Sequence, residues 1–185
     1  MYGRKKVQKQ NILNNVLNVK DDLQIFQKLP EEITIYIFEF LPIADRIKVE
    51  RVCQSWKVLA KQSWSNTKEL KLTPQYLGLK PICNKYYKIN DSILDAVLKR
   101  CGNYIRKIDV AQLTCRSSSI VAKYCKNVHS ITCDQVSVNG LKNLSTFCTK
   151  IKQINIQSCI LDNVDDALGY LFSKNKMLQV IEIPY

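Results

Sequence analysis

The sequence predicts an α/β protein in which a small all-helical module precedes a stack of helix–strand units whose strands are parallel. Two observations predict this fold: a helix near residue 35 that is apolar on nearly all sides, and an apolar pattern that recurs about every 23 residues downstream. A length of 185 residues, with 46% hydrophobic and 24% charged residues, suits one domain or a small module joined to a larger one. No run of about 18 or more apolar residues occurs, so no transmembrane helix is predicted.

The first 28 residues form a basic extension with a net charge of +4. Asparagines interrupt its apolar residues between Asn11 and Val19, so the continuous apolar segment of a secretory signal is missing. A mitochondrial presequence stays the alternative, although one arginine, Arg4, is few for such a segment. We expect a flexible, solvated tail, and a protein of the cytoplasm, the nucleus or both.

The eight cysteines include no C-x-x-C pair, and His129 is the only histidine. A zinc site normally needs four ligands in close pairs, so we expect no metal ion. Neither G-x-x-x-x-G-K-[ST] nor G-x-G-x-x-G occurs, so we expect no nucleotide cofactor, no catalytic residues and no enzymatic activity. Without an export signal the thiols should be reduced and should pack as small apolar side chains.

The helical module is predicted at residues 29–66, a segment without net charge. Pro30 suits the first turn of a helix, and Pro42 ends it. Two more helices are predicted, one from Asp45 to about residue 52 and one that carries Trp56. Asp45 is expected to cap the second helix, because Ala44 stands where Ser or Asp is common.

The first predicted helix has more apolar surface than a small module can cover. Ile33, Ile37 and Leu41 form one stripe, and Ile35 and Phe38, with the nearby aromatic residues, cover much of the rest. A surface helix normally has one apolar face, and a module of about forty residues cannot bury two. The spare face predicts either a partner protein or packing against residues 67–185, and the pattern leaves both open.

Residues 67–185 contain a repeat. Cys125 and Cys148 are each followed by apolar residues at +3, +6 and +8; Cys101 shows the same pattern with one residue inserted, and Asn175 takes the place of the cysteine in the last unit. The period is seen at the +6 position, which in the Cys101 unit is shifted by the inserted residue. The residues at this position are Ile108, Ile131, Ile154 and Ile181. This period and spacing are the signature of leucine-rich repeats, so we expect about four to five parallel strands, the first at residues 69–72.

The predicted array has no polar capping unit at its end. The chain stops at Pro184 and Tyr185, directly after a strand. We expect either that further repeats follow in a longer form or that the last apolar edge meets another surface.

Alternate strand residues are expected on the concave surface of the array, where a target protein or peptide would bind. The predicted target-binding residues are Lys107, Asp109, Ser130, Thr132, Asp134, Gln153, Asn155, Gln157 and Glu182. One base against three acids makes this face slightly acidic, and ordinary solvated strand residues are the alternative interpretation. The net charge of +8 in residues 67–185 must then lie on helices and loops.

Residues 29–60 resemble an F-box from end to end. The matching positions, in order and register, are Leu29-Pro30, Ile33, Ile37-Phe38, Leu41, Asp45-Arg46, Val52-Cys53, Trp56 and Leu59-Ala60. The cysteines that end the downstream helices resemble the cysteine-containing repeats common in F-box/leucine-rich-repeat proteins.

The resemblance implies that three short helices dock on a Skp-type adaptor, which connects them to a cullin scaffold and to ubiquitin transfer. The adaptor-facing or adaptor-supporting residues that it implies are Leu29, Pro30, Ile33, Ile37, Phe38, Leu41, Val52, Cys53 and Trp56. Trp56 and Leu59 are also expected in the module's own core.

As a function, the resemblance implies a non-catalytic substrate-recognition subunit of a Skp–cullin–F-box ubiquitin ligase, whose repeats bind the target. Two alternatives are a non-degradative scaffold that uses the same adaptor contact and a basic repeat protein associated with nucleic acid. An isoelectric point near 9.3 favours the last. Lysines scattered along the sequence, with few arginines, make nucleic acid the less favoured partner.

Overall fold

A computed structural model describes residues 29–73, 76–78, 89–158 and 164–183. The predicted N-terminal extension and most of the connection between Pro74 and Asn90 lie outside these residues. Three helices come first: α1 (Glu31–Phe40), α2 (Ile43–Val49) and α3 (Gln54–Ser63), followed by a 3₁₀ turn at Trp64–Asn66.

Strands and helices then alternate along the described chain. They are β1 (Glu69–Lys71), α4 (Asp91–Cys101), β2 (Lys107–Leu113), α5 (Cys115–Tyr124), β3 (Ser130–Val136), α6 (Val138–Phe147), β4 (Gln153–Ser158), α7 (Val164–Lys174) and β5 (Val180–Glu182). The predicted α/β class, a helical module followed by helix–strand units, is confirmed.

The five described strands form one parallel sheet in the order β1-β2-β3-β4-β5. The register aligns the sequence repeat: Leu70 pairs with Ile108, which is followed across the sheet by Ile131, Ile154 and Ile181. The first four of these side chains are fully buried. A slip of one residue would turn each apolar set towards solvent, so the repeat period determines the register.

Polar side chains that directly precede three helices of the array cap their first turns. Asn90, Thr114 and Ser137 each accept a hydrogen bond from the backbone N–H three residues later, at 3.0–3.2 Å. Such caps satisfy N–H groups that have no partner inside the helix. The starting point of each of these helices is therefore encoded locally.

The cysteines at the helix ends fill the space between neighbouring units. Cys101, Cys125 and Cys148 are fully buried, and the Cys148 thiol lies 3.6 Å from the backbone oxygen of Cys125 in the preceding unit. Asn175, in the fourth unit, is also buried, and its Oδ1 accepts a hydrogen bond from the N–H of Ile151 at 3.2 Å. Both side chains thus connect neighbouring units: the Cys148 thiol donates a long hydrogen bond to a backbone oxygen, and the Asn175 amide oxygen accepts a shorter one from a backbone N–H.

Thiol reagents are expected to modify Cys53 and Cys115, which are exposed, and to spare Cys101, Cys125 and Cys148 in the folded chain at about pH 8. Burial raises the pKa of Cys101 and of Cys148 to about 12 and also raises that of Cys125. Because the thiolate is the reactive form, the buried thiols should stay neutral and inert. Brief iodoacetamide labelling followed by peptide mass spectrometry measures this.

Labelling in denaturant provides the control, since all eight cysteines of the chain should then react alike. The raised pKa values also mean that folded thiols hold their protons more tightly than unfolded ones. Their contribution to the free energy of unfolding is therefore complete below about pH 9 and is lost as the pH rises towards 12. Labelling of Cys125 in the folded chain as fast as Cys53 would contradict this description of the core.

The second helix begins two residues earlier than predicted, and the prediction that Asp45 caps it was wrong. Pro42 occupies the N-cap position and has no side-chain hydrogen bond to offer, while Asp45 lies in the first turn and pairs with Lys48 at 2.7 Å. The N–H of Ala44 donates instead to the backbone oxygen of Leu77, at 2.9 Å. A backbone group from the connection after β1 thus takes the place of the missing cap.

Gly78 makes this approach of the connection to α2 possible. Its φ angle is +73°, and a Cβ atom at this position would lie 2.5 Å from the Cβ of Pro42. Glycine alone adopts this backbone conformation without steric cost and leaves room for the proline.

Candidate protein-interaction surfaces

One face of α1 exposes three large apolar side chains. Ile33, Tyr36 and Phe40 are 46%, 58% and 71% exposed, and their spacing of three and four residues places them on the same side of the helix. The rings of Tyr36 and Phe40 meet edge to face, with centroids 4.7 Å apart. The described residues of the array leave this face open. The sequence left two alternatives for the spare apolar face, a partner protein or packing on residues 67–185. The described residues do not show the second.

The opposite face of α1 forms the core of the helical module. Phe38 is 1% exposed and packs with Leu59 and Ala60 of α3, and its ring centroid lies 5.2 Å from that of Trp56. Among the implied adaptor-facing or adaptor-supporting residues, Phe38 lies beneath the exposed face of α1 and belongs to the core of the module. Leu59 is buried, as expected, and Trp56 is half-buried.

The other residues implied by the F-box resemblance lie at the surface or at its edge. Leu29, Ile37 and Leu41 are half-buried, and the last two pack partly on the module's core. Pro30, Val52 and Cys53 are exposed. The Cys53 sulfur also accepts a hydrogen bond from the N–H of Trp56, at 3.4 Å, and so caps α3.

The predicted adaptor-facing residues do not include two of the most exposed apolar side chains, although the sequence placed both on the nearly all-apolar helix. Tyr36 and Phe40 fall between the positions of the F-box pattern, so the resemblance did not select them. Their spacing from Ile33 was the signal that could have done so, because residues at i+3 and i+7 share a helix face.

A polar network joins the helical module to the first helix of the array. Arg100 of α4 donates from Nε to both carboxylate oxygens of Glu50, at 2.8 and 3.0 Å, and from one terminal nitrogen at 2.9 Å. The indole N–H of Trp64 donates to the same carboxylate at 3.0 Å. The guanidinium of Arg46 lies over the Trp64 ring, 4.6 Å from its centroid. One carboxylate and one indole thus connect α2, the 3₁₀ turn and α4.

The apolar core continues across the same boundary. Ile43 of α2 and Trp64 of the 3₁₀ turn belong to the core that also contains Leu70 and Ile108 of the sheet. Trp64 is 1% exposed. The F-box-like segment therefore shares a core with the array instead of standing on a separate linker, which holds the exposed face of α1 at a set position relative to the strands.

The predicted target-binding residues lie in rows across the sheet. One row runs through Lys107, Ser130 and Gln153, and the next through Asp109, Thr132, Asn155 and Glu182. All of them are exposed or half-buried, as are Asp134 and Gln157. Asn155 donates a hydrogen bond to the Glu182 carboxylate. In the middle of the two rows, Ser130, Thr132, Gln153 and Asn155 offer uncharged hydrogen-bonding groups.

Strand β1 extends these rows by two residues that sequence reasoning did not include. Glu69 pairs in register with Lys107, and Lys71 with Asp109, so opposite charges stand on neighbouring strands. Both residues were missed because the sequence pattern presents β1 only as a connection to the array.

A groove of about 420 Å³ lies between the end of α1 and strand β1. Phe40 and Glu39 line it on the helical side, and Glu69 and Tyr76 line it on the other. The groove therefore connects the exposed apolar face of α1 with the charged end of the concave surface.

Within the part of the chain that the structure describes, no group of three or more His, Cys, Asp or Glu side chains could hold a metal ion. The helices found in that part are too short or too polar to cross a membrane.

Comparison with known proteins identifies the first module. A family model described as F-box-like matches residues 26–67, against the predicted 29–66. F-box/LRR-repeat protein 12 of Bos taurus is 26% identical over 135 residues, which are 72% of this chain and 40% of that protein. Its Homo sapiens counterpart is 43% identical over 37 residues, 20% of this chain and 11% of that protein.

EEED8.10 of Caenorhabditis elegans, which is named as a candidate RNA-binding protein, is 23% identical over 154 residues, 80% of this chain and 20% of that protein. The chain spans less than half the length of the curated relatives it matches. The F-box-like match and the likeness to F-box/LRR-repeat protein 12 support the F-box/leucine-rich-repeat family that the sequence resembles. Proteins with an F-box are in general non-catalytic substrate adaptors, and no catalytic family is indicated.

Proposed function

We propose, on the premise of an F-box-like domain that shares its core with a helix–strand array, that this protein is the substrate-recognition subunit of a Skp–cullin–F-box ubiquitin ligase. The observation that carries the proposal is the open apolar face of α1 inside the segment that matches the F-box. Its Ile33, Tyr36 and Phe40 side chains share one side of the helix and are 46–71% exposed, and exposed apolar side chains grouped in this way mark interaction sites.

The adaptor contact is expected to be driven by apolar burial. Each square ångström of apolar surface removed from water contributes about 25 cal/mol, and residues 29–66 have no net charge to add a long-range attraction. Leu29, Pro30, Val52 and Cys53 would border the contact, while Phe38 holds α1 on α3 beneath it.

The array would then present the target. Because Glu50, Trp64 and Arg100 tie the helical module to α4, an adaptor seated on α1 would hold the concave strands in a defined orientation. The chain itself would do no chemistry, and ubiquitin transfer would be the task of the partner subunits. Such a role would be carried out in the cytoplasm, the nucleus or both.

Two alternatives use the same surfaces differently. A non-degradative scaffold would make the same adaptor contact and release its target unchanged. The name of EEED8.10 favours nucleic acid, but that name describes a protein of which the match covers 20%, so it offers little support for this segment.

Titration of the full chain with a purified Skp-type adaptor tests the proposal. We expect a one-to-one complex that survives about 1 M salt, because apolar contacts do not depend on screened charges. The double substitution Leu29→Ala with Pro30→Ala should weaken it, since both residues border the exposed face. A folded chain that binds no adaptor, or that releases it as the salt concentration rises, would reject the ligase role in this form.

Ubiquitin transfer to a captured target, measured in the reconstituted complex, separates a ligase subunit from a scaffold. A target that is bound through the array but never modified would favour the scaffold.

A further inference from the structure

The N-terminal ends of the strands carry a row of basic side chains. A chain of backbone hydrogen bonds connects the residues that directly precede the five strands. Each N–H donates to the carbonyl oxygen of the equivalent residue one strand earlier, in the order Lys68, Arg106, His129, Lys152 and Gln179. These residues therefore stand side by side across the sheet, and four of the five are basic. Residues far apart in the sequence form one continuous edge.

The turns that lead into β3, β4 and β5 widen this edge with three exposed lysines. We define the basic rim as Lys68, Arg106, Lys126, His129, Lys150, Lys152 and Lys176. It contains no carboxylate, and its cations are not within 4.0 Å of any acidic group in the described residues, whose ion pairs lie elsewhere. Lysines that are scattered along the sequence are thus gathered by the fold on one edge.

Helix dipoles account for only part of this arrangement. The carbonyl end of a helix attracts cations within about one turn, which suits Lys126 and Lys150 directly after α5 and α6. Arg106 and Lys152 lie beyond that reach. Burial, followed by the positive charges of Lys152, Arg106 and Lys150, lowers the pKa of His129, as expected where cations crowd together without an anion.

We propose that the basic rim binds an acidic segment of the target protein, laid across the strands beside the concave face. This inference rests on the proposed function, because it identifies the charge of the target that the array would select. The rim residue Arg106 is adjacent to Lys107, the first concave residue of β2, so one partner could contact the rim and the concave face together. An anion placed here would relieve repulsion that the chain alone leaves uncompensated.

The chemistry of the rim suits carboxylates better than single-stranded nucleic acid. Its cations are lysines apart from Arg106, whose guanidinium already donates to the backbone oxygen of Asn127 at 3.1 Å. Tyr104, 36% exposed beneath the Lys68 ammonium group, is the exposed aromatic ring of the described rim turns. Proteins that bind single strands stack successive bases on several such rings.

Fluorescence anisotropy of the full chain with a labelled peptide of six Glu–Ser repeats tests the proposal. The triple substitution Lys126→Gln, Lys150→Gln and Lys152→Gln is expected to weaken binding about tenfold, as the sum of three exposed charge pairs. The matched control removes the same charge from exposed lysines of α3 and α6, through Lys57→Gln, Lys61→Gln and Lys142→Gln. It should leave binding within about twofold of the wild type.

A pH series provides a second readout at the same site. Peptide binding should tighten about threefold between about pH 8 and about pH 6, because His129 gains a proton when an anion lies beside it. The substitution His129→Gln should remove this dependence on pH, and an unchanged dependence in that variant would count against His129 as its source.

A uridine oligonucleotide with the same number of negative charges decides between partner classes. We expect it to bind no more tightly than the peptide. Tighter binding that is lost in the rim variant would overturn the acidic segment in favour of nucleic acid, and equal losses in both triple variants would overturn the rim itself. Adaptor titration of the same variants keeps the two proposals apart, because it depends on α1 and not on the rim.

Discussion

Replacement of Ile33 by aspartate is expected to raise the dissociation constant for a Skp-type adaptor about a hundredfold, while the melting temperature changes little. Ile33 lies at the N-terminal end of the exposed face of α1 and is 46% exposed, so a carboxylate there stays hydrated in the free protein. In the complex the same carboxylate would be taken out of water without a partner, which is costly. Calorimetric titration with purified adaptor measures the change, and thermal unfolding reports the stability.

Phe172→Asp is the matched control. Phe172 of α7 is 50% exposed on a helix of the array, so this substitution introduces the same charge at a similarly exposed apolar position. It should leave adaptor binding unchanged. Normal adaptor affinity in the Ile33 variant would show that the adaptor does not sit on this face of α1, and equal losses in both variants would point to a general effect of charge.

Replacement of Trp64 by alanine is expected to lower the free energy of unfolding by about 3–5 kcal/mol, the range for removal of a buried Trp or Phe side chain. Trp64 is 1% exposed and packs in the core shared by the helical module and the sheet. Its loss would also remove the indole hydrogen bond to Glu50 and the ring beneath Arg46. Urea unfolding followed by circular dichroism measures the effect.

The substitution Trp64→Phe separates packing from the polar network. It keeps most of the apolar volume but removes the donor to Glu50, so a smaller loss of about 1–2 kcal/mol is expected. A Trp64→Ala variant within about 1 kcal/mol of the wild type would mean that the junction contributes little to stability. A Trp64→Phe variant as unstable as Trp64→Ala would place the stabilisation in the hydrogen bond instead of the packing.

Much of the array could be predicted from the sequence because its information is local. Buried and exposed residues alternate along each strand, so adjacent residues alone predict the strand. The recurrence of Ile108, Ile131 and Ile154 every 23 residues then aligns one strand with the next. A parallel sheet built this way has a single register that buries all its apolar residues. The F-box pattern is likewise a contiguous arrangement, so its residues can be selected from their spacing alone.

Local patterns were insufficient where a residue's environment depends on a distant part of the chain. A helix that is apolar on nearly all sides does not show which sides are covered, so Phe38 was grouped with Ile33 although one is buried and the other exposed. The cap of α2 could not be predicted either, because the oxygen that receives the Ala44 N–H belongs to Leu77, which only the folded connection brings near.

The sequence by itself determined the α/β class, the order of the units, the strand register and the F-box pattern, because each depends on the spacing of residues within one unit or between equivalent positions of successive units. The tertiary structure alone decided the junction and the basic rim. Glu50 and Arg100 meet across 50 residues, and the rim gathers basic side chains from the segments that precede all five strands. Periodicity reports how each segment buries its own apolar side, whereas charges and exposed faces are positioned by packing between segments, which no single segment encodes.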